Sequence, residues 1–289
     1  MRYATFIHDK RQQVGVVSAD GQSVTALPLS PAEAEQGVLA LVNRQVQGQP
    51  IPAPVGAPNA LAQVRLLAPV PRPRRNVFCV GRNYRAHAQE LSGSIFSGDK
   101  QPLDEWPIVF SKVPETVVGP FDTVHLPAGI SDQIDYEAEL AIVIGQGGRN
   151  IRREDAMAHV WGYTVVNDVT ARDVQTRHAQ WHLGKSFDSF CPMGPWVVTA
   201  DQLDGRDTRV RGWVNGELRQ DASTQDMIFD IPTLIETCSR GITLLPGDVI
   251  ATGTPAGVGM GMKPPAYLKS GDVVRIEIEG VGVIENRFA

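Results

Sequence analysis

The chain has 289 residues, 42% hydrophobic and 20% charged, with a formal net charge of −5 at pH 7. A chain disordered by its charge is excluded, because such disorder combines low hydrophobicity with high net charge. No apolar run reaches the ~18 residues of a membrane span, and no long basic run offers the clustered charge that binds nucleic acid. We therefore expect a globular protein that has neither a membrane nor a nucleic acid as its partner.

Residues 1–70 are predicted to form a small α+β unit. Two apolar stretches, 3–7 and 14–18, flank a polar run, which is typical of a short β-hairpin. Ser30 can cap a following helix, because Glu33 stands three residues later as a capping box requires.

Six prolines between positions 52 and 73 forbid a continuous helix and indicate an extended, linker-like segment. We place a domain boundary there. Residues 1–70 are then a small N-terminal domain with its linker, and residues 71–289 form the larger domain.

Strand patterns dominate the larger domain. Short apolar and β-branched runs predict strands at residues 76–80, 108–112, 137–144, 163–167, 196–199, 210–214, 248–252 and 272–279. Asn215 and Gly216 predict a tight hairpin turn. Helices are predicted at about 83–91 and 153–160, and from an Asp230 N-cap. Because strands and helices do not alternate, we expect a mainly β, α+β fold with a mostly antiparallel, rolled sheet.

The cysteines and the first residues agree with an intracellular location. Cys79, Cys191 and Cys238 are isolated and odd in number, which fits reduced buried thiols better than disulfides. Charged residues from Arg2 onward interrupt any signal-peptide core. We expect a cytoplasmic protein.

An acidic strand is the most informative segment. In residues 135–144, the period of two places Asp135, Glu137 and Glu139 on one face, and Asp168 follows another apolar strand. Like charges that approach a core are costly unless a cation compensates them. Glu137, Glu139 and Asp168 would form an all-oxygen site suited to Mg²⁺ or Mn²⁺. The alternative is a solvated strand edge whose carboxylates pair with Arg149, Arg152 or Arg153.

His178 and His182 form a second candidate metal site. Their i,i+4 spacing suits Zn²⁺ on one helix face, but no glutamate follows His178 as a zinc protease would require. We favour polar or substrate-contacting histidines over a zinc site.

His87 and Glu90 are predicted to stand i,i+3 on a short helix. The carboxylate can then orient the imidazole and leave its other nitrogen to take a proton, as general-base catalysis requires. The alternative is an ordinary exposed polar pair.

Two glycine-containing loops could bind an anion. Residues 252–259 allow backbone amides to approach a ligand, yet the pattern is not a Walker loop. The second loop is residues 184–186. Thr254 in the first loop and Lys185 in the second could bind a carboxylate, or both segments could be plain loops.

Taken together, these segments resemble the fumarylacetoacetate hydrolase family over roughly residues 76–289. The matching stretches are 80–84 with His87 and Glu90, 108–120, 135–140, 162–175, 184–188 with 191–192, 214–217 and 246–259. The resemblance implies a mixed β-roll with a small N-terminal domain and a homodimer.

The resemblance also implies roles for individual residues. Positions matching Glu137, Glu139 and Asp168 hold Mg²⁺ or Mn²⁺, and His87 with Glu90 activates water. Lys185, Gln175 and Thr254 contact substrate or developing negative charge, and we expect the remaining substrate contacts from Arg82, Tyr84 and Arg172.

The implied activity is hydrolysis of a C–C bond in an acylpyruvate-type 2,4-dioxo acid, as in aromatic catabolism. Decarboxylation of oxaloacetate-like acids and isomerisation of hydroxymuconate-type diacids use the same site but no water attack, so the dyad favours hydrolysis. A remote alternative is a non-catalytic binding module with a structural Ca²⁺. Residues 91–106 are expected to be a mobile loop, either a substrate-selecting lid or a surface turn.

Overall fold

The computed structural model describes residues 1–90, 105–177 and 180–289. Its helices are α1 (Pro31–Glu35), α2 (Leu39–Val46), α3 (Arg85–Glu90), α4 (Arg172–Arg177), α5 (His182–Lys185) and α6 (Ile231–Ser239). Its strands are β1 (Arg2–His8), β2 (Arg11–Val17), β3 (Ser23–Ala26), β4 (Asn59–Ala60), β5 (Arg65–Leu66), β6 (Val77–Gly81), β7 (Ile108–Lys112), β8 (Val117–Val118), β9 (Ile134–Asp135), β10 (Ala138–Ile144), β11 (Val160–Asn167), β12 (Thr170–Ala171), β13 (Cys191–Thr199), β14 (Arg209–Val214), β15 (Glu217–Ser223), β16 (Val249–Ala251), β17 (Val273–Ile278) and β18 (Gly282–Arg287).

One large mixed sheet organises the described residues. Its strand order is β4-β3-β2-β1-β13-β11-β10-β16-β6-β7, with β5 beside β1 and β8 beside β13. A four-stranded sheet, β15-β14-β17-β18, packs near it, and β12 pairs with β9. Most pairs are antiparallel, and the β16/β6 and β13/β8 pairs are parallel. The predicted mainly β, α+β fold with a mixed sheet is confirmed.

Local signals in the sequence place several elements where they were expected. Asn215 and Gly216 have φ of 51° and 83°, the left-handed conformations that a tight turn between β14 and β15 needs. The Asp230 side chain accepts a hydrogen bond from the Thr233 amide and caps α6. The capping box of Ser30 is also present at α1.

The helix that Ser30 caps is short, and the helix predicted at 153–160 is reduced to one turn. The chain leaves α1 at Gly37, which adopts φ 65° and packs against Pro69 before α2 begins. The helix predicted at 153–160 is a single 3₁₀ turn, Ala156–His159, because β11 starts directly after it at Val160.

The N-terminal segment continues the large sheet. Tyr3 of β1 pairs with Val197 of β13 in antiparallel register. Leu41 of α2 belongs to the same buried cluster as Val143 and Val249 of the central strands. The segment thus covers one face of the sheet that carries the acidic strand, and the boundary near residue 70 stays a prediction.

The cysteines agree with the prediction, since all three are free and buried. Within the ranges that the structure describes, no helix is long and apolar enough to cross a membrane.

Leu41→Ala tests the packing of α2 on the sheet. Leu41 is fully buried, so we expect the free energy of unfolding to fall by about 2–5 kcal/mol in urea denaturation. Leu218→Ala is the matched control, because the side chain is about half exposed and the change should cost under ~0.5 kcal/mol. Equal effects of the two substitutions would contradict the packing.

Candidate active site

Strand pairing brings three carboxylates together. Ala138 of β10 pairs with Asn167 of β11, so Asp168 lies beside Glu137, and the Asp168 amide donates to the Glu137 carbonyl at 3.0 Å. Glu139 lies two residues further on, on the same face as Glu137. One carboxylate oxygen from each of the three residues lies within 4.8 Å of the others. The predicted metal ligands therefore converge.

All three carboxylates are buried, and two of them have opposite pKa shifts. Burial opposes ionisation of Glu137, but the positive charges of Lys185 and Arg172 outweigh it and lower the pKa of Glu137 to about 2. Burial, followed by the negative charges of Asp168 and Glu137, raises the pKa of Glu139 well above its usual value. Glu139 is thus the carboxyl group of the cluster whose ionisation the surroundings oppose most.

Buried cations compensate the other two carboxylates. Lys185 Nζ donates to Glu137 Oε2 at 2.7 Å and to Asp168 Oδ2 at 2.8 Å. Lys112 Nζ donates to Asp168 Oδ1 at 2.7 Å and to the Val169 carbonyl at 3.0 Å. Each oxygen of Asp168 therefore accepts from a different lysine, which fixes the plane of the carboxylate.

The donor set fits a hard divalent cation. In the described parts of the chain, Glu139 forms no ion pair, and its Oε2 accepts only from the Gly253 amide, at 2.9 Å. A buried carboxylate without a counter-charge is costly unless it is neutralised. Mg²⁺ or Mn²⁺ would supply that charge, and carboxylate oxygens are ligands that both ions accept.

The His87–Glu90 pair lies at the same site. Both residues are on α3, and His87 Nδ1 lies 3.2 Å from Glu90 Oε2. His87 is only 3% exposed and lines a cavity together with Glu137 and Glu139. The carboxylate orients the ring through Nδ1, which leaves Nε2 for proton exchange in the cavity.

Most of the predicted substrate-contacting side chains line this cavity. Its walls are Val80, Gly81, Arg82, His87, Phe110, Glu137, Glu139, Arg172, Gln175, Trp181, Lys185 and Thr254. The Trp181 ring lies against Gly81, where a side chain would overlap it. Apolar rings and charged groups thus share one small space.

Tyr84 is not brought to this cavity. Its backbone forms a β-bridge with Met227, and Tyr84 lines a neighbouring cavity that includes Arg85, Met227 and Pro255. Its contact with substrate stays a prediction.

Two further predicted contacts are engaged by the protein itself. The Arg172 guanidinium donates through Nε to Asp135 and through Nη1 to Gln175, and Nη2 lies 2.8 Å from Glu137 Oε1. The Thr254 hydroxyl donates to the Ala138 carbonyl at 3.0 Å. Arg172 and Thr254 therefore hold the site together, and their contact with substrate stays a prediction.

Sequence reasoning missed two buried residues. Lys112 is the last residue of the strand predicted at 108–112. A charged residue at the end of that strand was the signal that could have identified it. Gln220 lies on β15, accepts from the Ala138 amide at 3.0 Å and donates to Thr254 Oγ1 at 2.7 Å. Nothing in its sequence pattern separates Gln220 from a solvent-facing strand residue.

Some predictions fall outside the described residues. His178 is outside the described residues, so the alternative zinc pair of His178 and His182 is outside them too. Residues 91–104 of the expected loop are also outside them. His182 is described, and its Nδ1 donates to the Ser111 carbonyl at 3.1 Å.

A large mixed sheet with a buried carboxylate cluster defines a candidate metal enzyme, and comparison with known proteins agrees. Residues 76–289 match the family model described as fumarylacetoacetate (FAA) hydrolase C-terminal. Oxaloacetate tautomerase YisK of Bacillus subtilis is 50% identical over 230 residues, which cover 79% of this chain and 74% of that protein. The chain belongs to the fumarylacetoacetate hydrolase family, and it is an enzyme.

Solved structures support the same conclusion. A fumarylacetoacetate hydrolase from Exiguobacterium antarcticum matches with a TM-score of 0.84 and 43% identity, covering 100% of this chain and 99% of that one. A maleylpyruvate hydrolase from Sphingobium sp. SYK-6, in complex with manganese(II) and pyruvate, matches with a TM-score of 0.78 and 32% identity over 100% and 99% of the two chains.

Glu139→Gln tests the cation site. We expect the affinity for Mn²⁺ in calorimetry to fall at least about 10-fold, because the uncompensated carboxylate is removed. The metal-free variant should keep the fold and melt no earlier than the wild type, since the substitution removes a buried acidic group whose ionisation its surroundings oppose. Glu115→Gln is the control, because Glu115 is exposed. Unchanged Mn²⁺ affinity in Glu139→Gln would exclude Glu139 as a ligand.

Lys112→Met tests the lysine support of Asp168. Removing one partner of a buried ion pair should lower the free energy of unfolding of the metal-free protein by about 3–5 kcal/mol. Saturating Mg²⁺ should recover part of that loss, because the ion supplies positive charge near Asp168. Lys269→Met, at an exposed position, should have no such effect. A loss that Mg²⁺ leaves unchanged would show that Lys112 does not balance charge at this site.

Proposed function

We propose that the protein is a metal-dependent keto–enol tautomerase of a small 2-oxo diacid such as oxaloacetate. The observation that carries the proposal is that His87, oriented by Glu90, lines the same cavity as the carboxylates of Glu137 and Glu139. The 50% identity with an oxaloacetate tautomerase supports this choice of reaction.

The reaction needs one positioned base. From keto to enol, His87 Nε2 takes a proton from C3, and the electron pair of that C–H bond forms the C2–C3 double bond. The 2-oxygen takes up the negative charge and then a proton from water, and the hydroxide that remains takes the proton from the His87 imidazolium. In the reverse direction, His87 returns the proton to C3. Glu90 stabilises the imidazolium in between.

Other side chains of the cavity would hold the substrate. Lys185 uses two of its three N–H groups on Glu137 and Asp168, which leaves one for a substrate oxygen. Gln175 lines the cavity, and Arg172 holds its Oε1 at 3.1 Å, so its amide nitrogen is the group that can donate to a carboxylate. A Mg²⁺ or Mn²⁺ ion held by Glu137, Glu139 and Asp168 would act as a Lewis acid toward an enolate oxygen.

Hydrolysis of an acylpyruvate, the activity that the family resemblance and the dyad together predicted, is the second candidate. The dyad does not discriminate between the two reactions, because the same imidazole can take a proton from C3 or from water. A curated relative that is 50% identical favours tautomerisation. The maleylpyruvate hydrolase of the same fold, 32% identical, is the observation that favours hydrolysis.

Comparison of substrates decides between the two reactions. With Mg²⁺, the wild type should accelerate the conversion of enol-oxaloacetate to the keto form, followed by ultraviolet absorbance. It should release pyruvate from acylpyruvates far more slowly, with kcat/KM as the measure. Faster pyruvate release than tautomerisation would reverse the assignment.

His87→Ala should lower kcat for tautomerisation by about 10²–10⁴-fold, because the base is removed. Its Mn²⁺ affinity should stay at the wild-type value, since the three carboxylates are intact. His125→Ala is the control, because His125 is exposed and outside the cavity. Wild-type turnover in His87→Ala would remove this residue from the mechanism.

A further inference from the structure

The Glu90 carboxylate is held by a loop that is distant in sequence. We call residues 257–261 the glycine loop. The Gly257 amide donates to Glu90 Oε1 at 3.0 Å, while Glu90 Oε2 lies 3.2 Å from His87 Nδ1. Glu90 is therefore fixed from two sides, by the loop and by the imidazole that it orients.

Gly261 leaves the space that the Glu90 carboxyl group fills. A β-carbon at Gly261 would overlap the Glu90 carboxyl group, and the three nearest atoms all belong to that side chain. Gly261 is not among the residues with positive φ, so its backbone conformation does not require glycine. Gly257 differs, because its φ is 108°. The absence of a side chain at Gly261 therefore leaves room for the Glu90 carboxyl group.

Asp135 ties the glycine loop to the carboxylate cluster. Its Oδ1 accepts from the Gly259 amide at 2.7 Å, and its Oδ2 accepts from the Met260 amide and Arg172 Nε, both at 2.9 Å. Arg172 continues the connection to Glu137, and Asp135 is completely buried. The loop is thus anchored to the same residues that border the cation site.

We propose that the glycine loop positions the Glu90–His87 pair over the carboxylate cluster, with Gly261 and Asp135 as positioning residues. The inference rests on the proposed function, in which His87 moves the proton. It predicts that anything that displaces the Glu90 carboxyl group from the loop slows proton transfer and leaves the cation site intact.

Gly261→Ala is the first experiment. The overlap is with the end of a flexible side chain, so the fold should persist while Glu90 moves. We expect kcat for enol-oxaloacetate to fall by about 10–100-fold, because small misplacements of a catalytic group cost this much. KM and Mn²⁺ affinity should be unchanged. Gly119→Ala is the matched control, since a β-carbon there would meet the Asp122 carboxylate, which lies outside the cavity lining.

Glu90→Asp gives a rescue that a merely structural role would not produce. In the wild type the shorter side chain should lower kcat, because it reaches Gly257 and His87 less well. In Gly261→Ala it should raise kcat, because it frees the space that the new methyl group takes. Additive losses in kcat, or a crystal structure of Gly261→Ala with Glu90 unmoved, would overturn the inference.

His87→Ala separates this inference from the proposed function. If His87→Ala keeps full turnover, the proposed function fails, and the catalytic part of this inference fails with it. If His87→Ala is impaired but Gly261→Ala and Glu90→Asp are additive, only the positioning by the glycine loop is wrong.

Discussion

The structure depends on keeping three carboxylates buried at the adjoining ends of β10 and β11. Lys112, Lys185 and Arg172 are buried as well, and they pair with Asp168 and Glu137. Breaking a buried ion pair is strongly destabilising, so these contacts are constraints on the fold. Among the described residues Glu139 has no ion-pair partner, and a bound cation would offset the cost of ionising it. The same constraint explains why a lysine ends β7 inside the protein.

The sequence predicted the part of the site that follows from short-range rules. Alternation in a strand places Glu137 and Glu139 on one face, and i,i+3 spacing on a helix brings His87 to Glu90. Cap and turn residues likewise located α1, α6 and the β14–β15 hairpin. The residues themselves suggested that Asp168 joins the other two, but spacing cannot specify which strands pair, so the choice against a solvated strand edge came from the family resemblance.

What the sequence could not predict depends on contacts between distant segments. Lys112 and Asp168 are 56 residues apart, and Gln220 reaches β10 from the smaller sheet. Asp135 shares the acidic alternation, yet it holds backbone amides of residues 259 and 260 and not the cation site. Tyr84 lies two positions from Arg82 but lines a neighbouring cavity, and its backbone forms a bridge with Met227. The N-terminal strands joined the large sheet, although the prolines after them indicate a linker.

The acidic cluster and the His87–Glu90 pair form one active site. A cation bound there would polarise a 2-oxo acid, and His87 would move a proton. The most direct measurement is anomalous diffraction from a crystal grown with Mn²⁺ and oxalate, an enolate analogue. The account predicts one Mn²⁺ bound by Glu137, Glu139 and Asp168, with oxalate on its open positions facing His87. Manganese bound elsewhere, or an ion there enclosed by protein on every side, would contradict it.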